Sequence, residues 1–567
     1  MTAAVAGPIA QVPSRRLSSE DLLMRGGILL LTALLLLFVA FPLATLLLKS
    51  FQDSTGRLVG LANYQRYFMT PTLVASLWNS LAVAMVSTAI VVPLAFLYAY
   101  GLTRTCLPAK RLFVALALLP LFAPSLLPAI SLIYIFGNQG FLKSWLLGAS
   151  IYGPFGIVLA QVFYCFPHAL MILITAFSLA DGRLYEAAAA MGTGRWRVFH
   201  TITLPGVRYG LISALFVVFT LVITDFGIAK VIGGQFNVLA TDAYKQVVGQ
   251  QNFEMGAVVG FLLLVPAVIA FALDRHVQRR QVALLSARAV PFAPRAHAGK
   301  DLAMLAYCLV VGGMIAAVLG VAVWGSFVTY WPYNLALSLK NYDFETFEPN
   351  AAAPYFASLQ MAAIAAVAGT SVIFCGAYLI EKGRGLRGLR TLAHLIAMLP
   401  MAVPGLVLGL SYVFFINAPW NPLGILYGSI LLLAINSIAH FYTTAHVTAL
   451  TALKQLDGEF EAVSASLKVP FYRTFARVTV PICLPAILDI AIYLFVNALT
   501  TVSAVVFLYG ASSKLASISI VHMDEAGATA AAAAMATLIV ATALTVKLLH
   551  LILEQHLFAK LQVWRKR

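Results

Sequence analysis

The stretch "EAAAAMGTGRWRVFHTITLP" runs from Glu186 to Pro205, between two long apolar runs. It carries Glu186, Arg195, Arg197 and His200, and a similar stretch, "EAVSASLKVPFYRTFARVTVP", returns at Glu461 to Pro481. Two polar inserts at matching places in a lipid-soluble chain have to touch something other than lipid. The organisation of the whole sequence follows from asking what that is.

The chain has 567 residues, 61% hydrophobic and only 10% charged. A soluble fold of this length needs more charge to cover its surface, so the class is integral membrane protein. The apolar runs are continuous and about 20 residues or longer, which makes the spans helices rather than alternating barrel strands. Twelve spans are expected, near 27–48, 76–100, 112–136, 154–178, 209–231, 256–273, 303–329, 357–380, 391–416, 423–449, 484–508 and 529–552. "GILLLTALLLLFVAFPLATLLL" (Gly27 to Leu48) is longer than a signal-peptide core and has no small-residue cleavage site close behind it, so it reads as a retained first span.

The net charge of +16 does not point to nucleic acid, because the charges sort by loop. Loops after odd-numbered spans hold eight basic residues: Lys49, Arg57, Arg66, Lys143, Lys230, Lys245, Lys340 and Lys514. They are balanced by eight acids: Asp53, Asp242, Glu254, Asp343, Glu345, Glu348, Asp524 and Glu525. The other 29 of 37 Lys and Arg lie in the termini, the even-numbered loops or the adjoining membrane edge, which places both termini and both inserts in the cytoplasm. The five cysteines, Cys106, Cys165, Cys308, Cys375 and Cys483, show no CxxC or His-spaced cluster and read as packing residues.

The two halves are related. Phe199 and Phe475 are 276 apart, as are Pro205 and Pro481, and Ser50-Phe51 matches Ser326-Phe327 at that offset. Asn63-Tyr64 matches Asn341-Tyr342, and "LPLFAP" (Leu119 to Pro124) matches "LPMAVP" (Leu399 to Pro404). The chain reads as two copies of a six-span unit: 1–273 with its insert at 181–205, a basic linker at 274–301, and 302–567 with its insert at 456–481. An even span number keeps the copies parallel, with a path expected on the axis between them.

Within the first insert Asp181 can cap a helix beginning near Arg183. Gly192-Thr193-Gly194 breaks it, and a second short helix, Arg195 to Thr203, precedes Pro205. The product is a small-faced basic knuckle at the membrane surface. Alone it is compatible with an amphipathic interfacial helix; its recurrence in the second half argues for a partner.

"EAAAAMG" followed by "TLP" resembles the EAA signature of importer-type ABC permeases, and the whole chain resembles two such permeases fused end to end. The resemblance implies an all-α polytopic fold and a coupling helix that docks in a groove of a cytoplasmic ABC ATPase dimer. Glu186, Ala187, Ala188 and Gly192 match the motif in the first half, and Glu461 and Ala462 in the second. The second copy departs from the pattern: Lys468 stands at the loop glycine, followed by Val469-Pro470, so its turn is expected to differ. No GxxxxGK[ST] occurs, so ATP and Mg are expected on a partner subunit, with no cofactor in this chain and no enzyme activity of its own. The further partners implied are a periplasmic substrate-binding protein and membrane lipid, in a bacterial inner membrane.

Asp225, in "TDFGIAK", lies about 16 residues into the fifth span, about 24 Å along it. With Thr224 it is a candidate for the substrate path, where it can attract a cationic group; the structural alternative is a helix-end cap before Gly227. Asp489 reads as a partner for Arg473 or Arg477, and His168 and His440 as hydrogen-bonded core histidines. Pro120, Pro124, Pro128, Pro400 and Pro404 are expected to break the third and ninth spans. The stretches from Thr224 to Gly260 and from Thr500 to Ala536 resemble fused permeases of 2-aminoethylphosphonate uptake, with fused iron(III) permeases as the alternative. An alternative of another class is an ion-coupled secondary transporter of parallel repeats, although the spans offer few acids for ion coupling.

Overall fold

The computed structural model describes residues 19–284, 290, 292–347, 350 and 352–561; Glu348 and linker positions 285–289 and 291 lie outside them. The first half forms α1 (Ser19–Ser50), α2 (Pro71–Arg104), α3 (Lys110–Phe122), α4 (Leu126–Phe136), α5 (Pro154–Ser178), α6 (Gly182–Ala190), α7 (Arg195–Thr224), α8 (Gly227–Ile232) and α9 (Phe253–Leu284). The same order returns as α10 (Ala298–Phe327), α11 (Ala353–Lys382), α12 (Arg387–Ala402), α13 (Gly405–Ile416), α14 (Ile430–Lys454), α15 (Glu459–Ser466), α16 (Phe471–Thr500), α17 (Ala516–Glu525) and α18 (Thr529–Leu561). Among the described residues the fold is all-α apart from one short hairpin after α10, β1 (Val328–Tyr330) with β2 (Asn334–Leu337).

Among the described residues ten helices are long and apolar enough to cross a membrane, and the count is twelve if each of the bent pairs α3–α4 and α12–α13 is taken as one span. Helices answer the requirement that every backbone polar group in lipid be satisfied within its own segment. The bends of 102° and 117° in the two pairs fall at Pro120 to Pro124 and Pro400 to Pro404, as the prolines require. Pro128 is different: it lies in the first turn of α4, where a missing N–H costs nothing, and it breaks no helix.

The fifth span departs from expectation. It starts at Arg195 and ends at Thr224, because the second short helix of the insert runs on through Pro205 without a stop. A π turn over Phe199–Thr203 shifts the hydrogen-bond ladder just ahead of the proline, and a π turn over Phe475–Thr479 does the same before Pro481. The linker also differs, since α9 continues to Leu284 and α10 begins at Ala298. Asp274 is buried and accepts from Gln278 Nε2 at 2.8 Å, while Gln278 reaches Ser213 of α7, so this end of α9 is pinned to the bundle.

Residues matched between the halves make matching contacts. Asn63 Nδ2 donates to the carbonyls of Ser50 and Gln52, and Asn341 Nδ2 to those of Ser326 and Val328. Ser50 Oγ meets Tyr64 OH at 2.8 Å, and Ser326 Oγ meets Tyr342 OH at 2.8 Å. These buried amides close the same outer corner twice.

The opening helix of each set packs on the other set. α1 lies against α11, α12 and α13 as well as α9, and α10 lies against α2, α3 and α4 as well as α18. Close approach is made by missing side chains: a Cβ on Gly376 would come within 2.8 Å of Leu31, and one on Gly325 within 2.9 Å of Tyr134. Tyr412 OH donates to Phe38 O at 2.6 Å across the same seam. Asp489 faces His550 of α18 at 3.5 Å, which corrects the expected pairing with Arg473 or Arg477. His168 Nδ1 meets Tyr164 O at 3.2 Å, whereas His440 Nδ1 has no hydrogen-bond partner among the described residues.

Candidate functional site: the paired knuckles and the closed outer end

Each knuckle is a short helix, a left-handed turn and the start of a span. Asp181 Oδ1 accepts from Arg183 N at 3.0 Å and starts α6; Asp457 Oδ1 accepts from Glu459 N at 3.1 Å and starts α15. The turns are closed by Thr193 N to Ala188 O and by Val469 N to Ser464 O, both 2.9 Å, a helix-ending six-to-one bond. Gly192 takes φ +64° and Lys468 takes φ +54°. The expectation of a different turn in the second copy is therefore corrected: the backbone is the same, and a lysine adopts what a glycine adopts freely.

This register alters the motif match. Cap, turn and anchor all align at one offset without a gap, from Asp181 and Asp457 to Pro205 and Pro481. Glu461 then stands where Tyr185 stands, and Ala462 where Glu186 stands. Glu186 and Glu461 are not structural equivalents. Glu186, Ala187 and Ala462 are exposed, Ala188 is buried, and Glu461 is half-buried. The signal missed in the sequence is the Asp-Gly pair at 181–182 and 457–458.

Tyr185 and Glu461 face the same kind of neighbour. Glu461 forms an ion pair of 3.1 Å with Lys382 at the end of α11. Arg104, at the end of α2, lies 5.1 Å from the Tyr185 ring and donates from Nη2 to Phe177 O at 2.9 Å. Each knuckle is thus held by a cation at the end of the second span of its half, through a ring in one and a carboxylate in the other. Phe199 packs on Phe96 and Tyr100, and Phe475 on Phe374 and Tyr378.

Among the described residues the linker contacts the first knuckle and not the second. Val290 O accepts from Gly182 N at 2.8 Å, and Phe292 lies 4.6 Å from Tyr185 and 4.5 Å from Arg104. Cys106 Sγ meets Pro294 O, and Asp301 takes the Cys106 amide at 3.1 Å.

Both knuckles leave bulky apolar groups outside. Leu184, Met191 and Trp196 on the first and Phe460, Leu467 and Tyr472 on the second are at least 45% exposed, at positions that correspond one to one. Large apolar side chains are thus repeated on both turns.

At the far end of α7, Asp225 Oδ2 accepts from Ile228 N at 2.9 Å and from Gln161 Nε2 at 3.1 Å. It caps α8, which is the structural alternative the sequence left open. Thr224 Oγ1 donates back to Thr220 O, as Thr500 Oγ1 does to Val496 O. Thr501 occupies the place of Asp225 in the second half. Beyond them the halves meet: Lys230 Nζ lies 2.5 Å from Glu525, and Tyr244 stacks on Phe507 at 6.1 Å. Burial, with the neighbouring Glu525 charge, pushes the Asp524 carboxyl up to about 6. At the end far from the knuckles the two halves are joined by this ion pair and ring contact.

A bundle of repeated halves, with ten to twelve candidate spans, an apolar-faced knuckle on each half and a seam between the halves at the other end, has the architecture of a transport permease. The model of the family described as "Binding-protein-dependent transport system inner membrane component" matches residues 91–282. The chain is 26% identical over 518 residues to "Putative ferric transport system permease protein FbpB 1" of Haemophilus influenzae, covering 87% of this chain and 79% of the relative. It is 26% identical over 538 residues to "Ferric transport system permease protein FbpB" of Actinobacillus pleuropneumoniae, covering 90% and 75%. A "Probable molybdenum ABC transporter permease protein" of Haloferax volcanii is 30% identical over 205 residues, 36% of this chain and 72% of the relative. The chain belongs to the family of binding-protein-dependent transport system inner membrane components, and is a multi-pass permease subunit of an ABC importer.

Proposed function

We propose that this permease carries ferric iron, free or chelated, across the inner membrane, with both termini and both knuckles in the cytoplasm. Two relatives that run along most of the chain are ferric permeases by name. The ferric reading therefore takes the place of the 2-aminoethylphosphonate expected from local resemblance. The two halves, one ending with α9 and the other beginning with α10, act as two permease units joined through the stretch between Leu284 and Ala298.

The knuckles seat the two subunits of an ATPase dimer. The observation that carries this is the pair of exposed apolar triplets at corresponding positions. Glu186, Ala187, Ala188 and Gly192 shape the first seat, and Glu461 and Ala462 the second. ATP-driven closure of the dimer moves both knuckles, and the Lys230–Glu525 seam parts to admit cargo from a periplasmic binding protein. We keep Asp225 and Thr224 on the path as part of this proposal, since Asp225 is a carboxylate at the end of the fifth span, held by Gln161 Nε2 and the Ile228 amide.

The test replaces the exposed Cys106 and Cys375 by serine and places cysteines at Ala187 and Ala462. Cross-links from both positions to an ATPase, with vanadate-sensitive uptake of labelled ferric iron, are the expected result. Undiminished uptake without any ATPase would sink the coupling, and phosphonate uptake without iron uptake would sink the cargo.

A further inference from the structure

We propose that the slot between α1, α9 and the bend of α12–α13 holds an acyl chain of an anionic phospholipid, whose headgroup phosphate sits on Arg275. The slot has a volume of about 690 Å³ and is lined almost wholly by carbon. Leu43 and Leu47 form one wall on α1; Leu264, Val268 and Ala272 form the other on α9; Ala402 closes the floor at the bend. Both walls are single stripes at helical spacing, so the slot runs along the helices rather than across them.

Its length fits one leaflet. From Leu264 to Arg275 is 11 residues of α9, about 16 Å at about 1.5 Å per residue, against a half-thickness of about 15 Å for the hydrocarbon core. Arg275 and His276 close the end on the knuckle side. Arg275 makes no hydrogen bond or ion pair among the described residues. Of the nearby acids, Asp274 gives one oxygen to Gln278 while the other has no hydrogen bond among the described residues and lies within electrostatic reach of Arg275, and Glu381 lies 4.0 Å from Lys454. A guanidinium whose five donors make no hydrogen bond among the described residues, at the mouth of a leaflet-long apolar slot, is complementary to a phosphate on an acyl chain.

A second groove provides the contrast. It lies between α2, α5 and α10, has a volume of about 660 Å³ and is lined by carbon with no cation at either end. Lipid there has no reason to be chosen by its headgroup.

The test uses the full chain, purified in mild detergent and exposed to phosphatidylglycerol or phosphatidylcholine, with retained lipid counted by native mass spectrometry. The parent is expected to hold one phosphatidylglycerol about five-fold more tightly than phosphatidylcholine. Arg275→Gln abolishes that preference and leaves phosphatidylcholine retention unchanged; Arg275→Lys keeps most of it. Ala272→Phe, which fills the slot, lowers retention of both lipids. Equal retention of the two lipids by the parent overturns the proposal, whatever the variants do. So does a preference that survives Arg275→Gln, which would place the anionic site elsewhere.

Discussion

Replacing Arg104 by alanine removes the one cation that ties the end of α2, the end of α5, the linker and the first knuckle together. Its Nη2 donates to Phe177 O at 2.9 Å, a charge-assisted bond contributing about 1.5–3 kcal/mol. Its guanidinium lies 4.5–5.3 Å from the rings of Phe292, Tyr185 and Phe177, each contact adding about 0.5–1 kcal/mol. These terms do not sum fully, and Nε has no partner among the described residues, so about 3 kcal/mol is the expected loss. The corresponding Lys382–Glu461 pair is partly exposed, with side chains 16% and 24% accessible, and contributes about 0.5–1 kcal/mol. Hydrogen exchange followed by mass spectrometry reads both knuckles in one experiment. In Arg104→Ala, amides of 182–190 should open about 100-fold more readily, whereas in Lys382→Ala those of 459–466 should change by no more than about five-fold. Equal loosening of the two knuckles, or an unchanged first knuckle in Arg104→Ala, refutes the claim that they are held by unequal means.

Two other outcomes follow from single residues. Lys468→Gly should stabilise the second knuckle by about 1 kcal/mol, because a lysine at φ +54° bears a left-handed penalty that glycine does not; Gly192→Ala should cost the first knuckle a similar amount, and local exchange rates that move the other way contradict the register. Asp524 is held up at about 6 from 3.8, so the folded chain keeps a proton that the unfolded chain releases between those values. Stability therefore falls as pH rises through that window. Asp524→Asn should raise the unfolding temperature at pH 7.5 but not at pH 4, and an equal gain at both would dismiss burial as the cause.

The knuckle register shows where a local motif misleads. Glu186-Ala187 and Glu461-Ala462 look alike as dipeptides, yet the capping aspartates and the left-handed turn place them one residue apart. A dipeptide match ignores backbone state, whereas Asp181 with Asp457 and Gly192 with Lys468 report it. Asp489 misled in the same way: Arg473 and Arg477 are near in sequence, but His550 is near in space.

Hydropathy along the chain marked the ten long helices and the two bent pairs, because a lipid-facing segment must satisfy its own backbone and needs about 20 apolar residues to span. Proline placement determined the two bends, and the constant offset between halves determined the repeat. The crossing of α1 and α10 onto the opposite halves, the strapping of one knuckle by the linker and the closing of Lys230 on Glu525 were decided only by tertiary structure. Each depends on surfaces hundreds of residues apart fitting at a few glycines and rings, and short-range periodicity carries no record of such a fit.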